Sequence, residues 1–153
     1  MDATSVFSPG TLEAKLIANA GDAFIVADAD GVIRFWNPAA ENMFGYSSQD
    51  AIGSTLDIIV PESQRKAHWD GYFNTMLTGR TKYGGQTLSV PAIRADGTRV
   101  SVSFTVALLL HPDGSVAGIG AVMRDVTAEW EQKKTARRRL AELERELKTL
   151  RRE

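Results

Sequence analysis

The chain has 153 residues, 43% of them hydrophobic, and a formal net charge of -1, which suits one soluble domain with a substantial core and an appendage. No apolar run approaches the roughly 18 residues of a membrane span, and MDATSVFSPG has neither the basic nor the apolar stretch of an export signal, so the cytoplasm is the expected compartment. Cysteine is absent and histidine occurs twice, which excludes disulfides, thiolate nucleophiles, cysteinyl cofactor adducts and Cys-ligated zinc.

TLEAKLIANA (11–20) spaces Leu12, Leu16 and Ile17 along one side of a short amphipathic helix, with Thr11 as cap and Gly21 as its end. AFIVAD (23–28) reads as a strand, DADG (28–31) as a tight turn and VIRFWN (32–37) as the hairpin partner. Pro38 stops the sheet. NPAAENMFG (37–45) holds a short helix with Ala40, Met43 and Phe44 on one face, and SSQDAIG (47–53) gives another, capped by Ser47 or Ser48. LDIIVP (56–61) leads into a longer helix over about 62–78, which starts after Pro61 and ends at Gly79. YGGQTLSVPAIR (83–94) is extended but broken by glycines and Pro91, the pattern of an edge or irregular strand. After a turn at RADGT (94–98), VSVSFTVALLL (100–110) alternates cleanly, with Val100, Val102, Phe104, Val106 and Leu108 on one face. HPDG (111–114) turns the chain again, and SVAGIGAVMRDV (115–126) is the last strand.

Two strands, short helices, one longer helix and three antiparallel strands make an α+β domain. The first hairpin must join the later sheet to bury its own apolar face, and the helices cover one side of it, leaving a pocket between. The expected organisation is a cap helix within 1–21, a core over 22–127 and a signalling and dimerisation helix over 128–153. Charge marks the last boundary: residues 1–128 carry 9 Lys/Arg and 13 Asp/Glu, residues 129–153 carry 9 and 6. In that tail Ala136, Leu140, Leu143, Leu147 and Leu150 recur at heptad spacing on an otherwise charged helix. A stripe this narrow cannot stabilise an isolated helix, and a parallel two-stranded homodimer is the simplest way to bury it. KKTARRR (133–139) could touch nucleic acid electrostatically, but the same residues form the solvated face of that helix and no recognised nucleic-acid motif accompanies them, so no such partner is expected. Neither a catalytic dyad nor a phosphate loop is visible. Gly84-Gly85 and Gly118-x-Gly120 lack the strand–turn–helix context of a nucleotide loop and read as close-packing positions, so the chain is not expected to be an enzyme.

On the helix over 62–78, His68, Tyr72 and Met76 stack at i, i+4 and i+8, while Trp69, Phe73 and Leu77 form the neighbouring row. The two rows make one broad apolar face that should look toward the sheet, and His68 lies within it. A neutral imidazole there can ligate haem iron, or it can be a half-buried histidine hydrogen-bonded to backbone. At the other end of the domain, Asp125 and Thr127 can satisfy free N–H groups at the head of the tail helix. A ligand that shifts the strand ending at Arg124 would reach that helix, which makes Asp125 and Thr127 candidate relay residues.

Several stretches together resemble the PAS family of sensory domains: AFIVADADGVIRFWNPAAENMFGYSSQDAIGSTL (23–56), IRADGTRVSVSFTVALL (93–109) and GIGAVMRDVTAEWEQ (118–132), above all WNPAAENMFGYS, the RADG turn and RDVT. The resemblance covers roughly residues 15–132 and implies a five-stranded antiparallel sheet with short helices over one face. It also implies a domain that binds a small cofactor, or none, and signals through a C-terminal helix to an effector, which this chain does not contain. Within the family, P-ESQRKA-H at 61–68 is similar to the oxygen-sensing haem branch of FixL type, which carries its proximal histidine on this helix. Tyr72 follows one residue later than in that branch. By this resemblance His68 is the candidate ligand of haem b, beside Trp69, Tyr72, Phe73 and Met76. Phe104 and Val106 fall where residues pack over the bound ligand, and Leu88, Ile119 and Ala121 complete the lining. The arginine that steadies bound oxygen in that branch has no counterpart: positions 86–88 hold Gln86, Thr87 and Leu88, and Gln86 offers a neutral amide instead. Two alternatives stay open. One is a cofactor-free dimerisation module. The other is noncovalent FAD near Trp36 and Trp69, since the photoreceptor branch's adduct-forming cysteine is missing.

Overall fold

In the computed structural model, which describes residues 10–81 and 85–152, α1 (Thr11–Asn19) leads into β1 (Ala23–Asp28) and β2 (Ile33–Trp36). α2 (Pro38–Phe44), α3 (Ser48–Ala51) and two 3-10 turns, Leu56–Ile58 and Glu62–Gln64, lead to α4 (Arg65–Thr78). β3 (Leu88–Ile93), β4 (Arg99–Leu110) and β5 (Val116–Asp125) follow, and α5 (Thr127–Leu150) comes last. The expectations for residues 1–9, Tyr83 and Gly84 lie outside the described residues.

All five strands form one antiparallel sheet in the order β2-β1-β5-β4-β3. Short turns make β3, β4 and β5 neighbours, and the first hairpin joins them by laying β1 against β5, Ala23 opposite Met123 and Ala27 opposite Ile119. Directly opposed residues share a face. One face therefore carries Ala23, Ile25 and Ala27, then Met123, Ala121 and Ile119, then Phe104, Val106 and Leu108. It continues through Val100 and Val102 to Leu88, Val90 and Ala92, and the helices cover it. Burial is deepest around Ile33, Phe44, Val100 and Val102, where each aliphatic side chain removed from water contributes roughly 1.5–3 kcal/mol. Gly118 packs as the sequence suggested: a Cβ there would lie 2.2 Å from the Ala27 carbonyl oxygen.

Some boundaries differ from the sequence reading. α1 is capped by Gly10, whose N–H is held by the Glu13 carboxylate, with Thr11 already inside the helix. Leu16, on the apolar side of that helix, is largely exposed, while the Ile17 carbonyl toward the C-terminal end of α1 accepts from Asn37. The long helix begins with a 3-10 turn, in which the Gln64 N–H donates to the Pro61 carbonyl, and becomes α-helical only at Arg65. Among the described residues no helix is long and apolar enough to cross a membrane.

Candidate functional site

The turn after β1 and the helix α4 position each other. Asp28 accepts hydrogen bonds from the Asp30 and Val32 N–H groups and from Arg34, fixing a turn that Gly31 completes at φ 79°. The Tyr72 hydroxyl donates to the Asp28 carbonyl, and the Trp69 indole N–H donates to Asp57 Oδ1 at 2.8 Å. The Trp69 ring lies over Gly31, where a Cβ would stand 2.2 Å from it. These long-range contacts set the rotation of α4 about its axis.

His68 sits in the aromatic cluster so formed, its ring 4.8 Å from Trp69 and 5.9 Å from Tyr72 between centroids. Its Nδ1 is buried and has no hydrogen-bond partner among the described residues, an arrangement folded proteins seldom leave unexplained. Burial lowers the His68 pKa below the usual histidine value, against a smaller opposing pull from the Asp57 carboxylate. At neutral pH the ring is therefore an uncharged imidazole with a lone pair to offer. Burial, with Asp28 and Asp30 adding to it, pushes Tyr72 up to about 12, so its hydroxyl stays a donor.

The structure brings most of the expected lining together. Trp69, Met76, Phe104, Ile119 and Ala121 pack against the core, and Tyr72 belongs to it. Leu88 stands opposite Phe104 and Val106 opposite Ala121, all half-buried on the helix-covered face of the sheet. Three residues behave otherwise. Phe73, expected inward, is 45% exposed and stacks flat on Trp69, and Leu77 is 87% exposed. Pinning Trp69 toward Gly31 and Tyr72 toward Asp28 leaves the Phe73–Leu77 side of α4 facing away from the sheet. Gln86 is exposed and precedes β3, which starts only at Leu88. Trp36 is buried against Phe44, with its indole N–H donated to the Tyr46 carbonyl, so both indoles considered for a flavin are engaged within the protein.

Asp57 and Gly31 were missed from the sequence. The signals were there, a lone acid inside the apolar run LDIIVP and a glycine in a turn, but neither shows its partner twelve or more residues away. Among the described residues no group of three or more His, Asp or Glu side chains could hold a metal ion. A metal at His68 thus needs a group that brings its own remaining ligands, and an unpartnered imidazole in an apolar setting fits haem in that respect. Two open surface clefts, of about 340 and 430 Å³, lie beside α1 and are not lined by His68.

At the other end of β5, Asp125 accepts from the Thr127 N–H and hydroxyl, Thr127 Oγ1 accepts from the Ser101 N–H, and the Val126 N–H donates to the Ser101 carbonyl. Arg94 donates to Asp125, to Thr98 and to the carbonyls of Met43 and Arg99. Burial alone would raise the Asp125 pKa, but the Thr127 hydrogen bonds and the Arg94 guanidinium outweigh it and hold the carboxyl below its usual value. The base of α5 is thereby tied to β4, β5 and α2 together. Farther out, Ala136, Leu140, Leu143, Leu147 and Leu150 lie exposed.

The PAS fold family matches residues 14–126. This chain belongs to the PAS family. Among curated relatives, the PAS domain is similar to Sensor protein FixL of Bradyrhizobium diazoefficiens, 33% identical over 127 residues, covering 82% of this chain and 24% of the relative. It is also similar to Oxygen sensor protein DosP of Escherichia coli, 26% identical over 113 residues, covering 74% of this chain and 14% of the relative. The chain therefore spans a quarter or less of either protein. Among solved structures, a PAS domain from Colwellia psychrerythraea superposes with a TM-score of 0.67 at 21% identity, covering 76% of this chain and 96% of that one.

Proposed function

We propose that this PAS domain is the sensing segment of a signal-transduction protein, that it holds haem b through His68, and that it passes a gas or redox signal to α5. The observation that carries the reading is the buried, unpartnered Nδ1 of a neutral imidazole on the helix covering the sheet. The names of the relatives, an oxygen sensor and a sensor protein, support a sensory role. Haem, when bound, supplies an iron that takes a diatomic gas or changes oxidation state. The chain's own residues do the rest. His68 orients the group, and Tyr72 and Trp69 hold α4 through Asp28 and Asp57. Leu88, Phe104, Val106, Ile119 and Ala121 present an apolar wall that keeps water out. Among the described residues no charged donor stands on that wall, which favours uncharged gases bound without strong polar help. β5 carries Ile119 and Ala121 along its middle and Asp125 at its end, next to Thr127 of α5, so a shift of the wall has a short route to that helix.

An absorption spectrum tests this. Purified protein supplied with haem should show a Soret band shifted from that of free haem, and His68→Ala should abolish the shift. An absent shift, or one that survives the substitution, refutes His68 as ligand.

A second reading is a cofactor-free module that relays a partner's state through its dimer. It is favoured by Trp69 and Tyr72, which fill the space under α4 with the protein's own side chains. A chain that takes up no haem yet self-associates through α5 would support it.

A further inference from the structure

We infer that two charge pairs set the register in which α5 meets α5 of a second copy: Arg139 with the partner's Glu144, and Glu146 with the partner's Arg151. The inference rests on reading α5 as a dimerising helix in a parallel pair and goes further by assigning the residues that set its register. α5 runs 24 residues from Thr127, and its leucines at 140, 143, 147 and 150 are between 40% and 67% exposed. Their spacing makes 140 and 147 the a positions and 136, 143 and 150 the d positions of a heptad. Arg139 and Glu146 are then g positions, and Arg137, Glu144 and Arg151 are e positions.

In a parallel pair each g residue meets the partner's next e residue, five positions on. Arg139 then meets the partner's Glu144, and Glu146 the partner's Arg151. Both contacts are attractive, and symmetry doubles each. An antiparallel pair that stacked all four leucines would set Glu144 against the partner's Glu144 and Glu146 against the partner's Glu146, both repulsive. The Arg139–Glu142 pair within the helix, 3.3 Å and exposed, is too weak to withhold Arg139 from a partner. Lys133 occupies the a position one heptad before Leu140. A lysine there costs stability but favours one register and a limited number of strands. It also leaves the apolar seam starting only at Ala136, away from the sheet.

The absence of cysteine makes the test direct. Leu140→Cys and Leu150→Cys are introduced separately into the full chain and oxidised, with sedimentation of the unmodified chain alongside. Each variant alone should form a disulfide-linked dimer, because in register each position faces its own copy. Cross-linking only when the two variants are mixed means an antiparallel pair, and overturns orientation and register while the dimer stands. A chain that sediments as a monomer overturns the dimer itself. A dimer that cross-links in neither arm pairs through another surface and also overturns the inference. As a second arm, Arg139→Glu and Glu144→Arg should each weaken self-association roughly tenfold, and an equimolar mixture should recover it. A mixture no tighter than either variant overturns the assigned pairs.

Discussion

Asn37 is 1% exposed and uses its whole amide: Oδ1 accepts from the Phe24 and Ala40 N–H groups, and Nδ2 donates to the Ile17 and Asp22 carbonyls. One side chain thereby joins the end of α1, the start of β1 and the cap of α2. Asn37→Ala would strand two donors and two acceptors, and the denaturant midpoint should fall by an amount worth about 3 kcal/mol. Asn37→Asp keeps the acceptor but turns a second oxygen toward two carbonyls, so it should not restore the loss. His68 gives a different signature. Burial lowers its pKa in the folded state below the ordinary histidine value, so the unfolded chain binds the proton more readily. The stability linked to this group is complete above the unfolded value and is lost as pH falls through the lowered folded value. Urea midpoints of cofactor-free protein should therefore drop from about pH 7.5 toward pH 5, in the range where an ordinary histidine titrates. His68→Phe should flatten that slope. An equal slope in the variant would mean that His68 is not the group responsible.

At the scale of elements, the turn at 28–31 and α4 depend on one another through Gly31. Its φ of 79° disfavours a side chain, and an added Cβ would overlap the Trp69 ring at 2.2 Å. Gly31→Ala should cost about 1–3 kcal/mol, and the displaced indole should shift tryptophan emission to the red. An unshifted emission would show that Trp69 stays seated and the backbone absorbs the change. This dependence also explains what the sequence could and could not convey. The β1–β2 hairpin, the alternation of β4 and the long helix α5 follow local patterns, and all were legible. Which arc of α4 turns inward was not. Its apolar residues span two rows, and the choice is made by Asp57 and by the Asp28 carbonyl, which the sequence does not link to Trp69 and Tyr72. For the same reason Phe73 and Leu77 were expected inside and lie outside. Gln86 was expected beside the pocket by resemblance to the haem branch, but β3 begins two residues later and leaves it exposed.

For the molecule as a whole, the question is how firmly the PAS body and α5 share stability. Their junction is well bonded, through Asp125, Thr127, Ser101 and Arg94. The leucines of the outer half are exposed, and no residue of α5 is buried. A solvated helix of this kind gains little from its own propensity and needs a partner's apolar surface to persist. Association should then stabilise α5 by mass action and the body hardly at all. On dilution through the dissociation range, helical ellipticity at 222 nm should fall while the near-ultraviolet signal of the packed aromatic core stays constant. Leu143→Asp with Leu147→Asp should reproduce the dilute state at high concentration, with the melting of the body unchanged within a few degrees. If the core signal is lost together with the helix, the body itself depends on the dimer, and a surface other than the leucine seam must be joining the two copies.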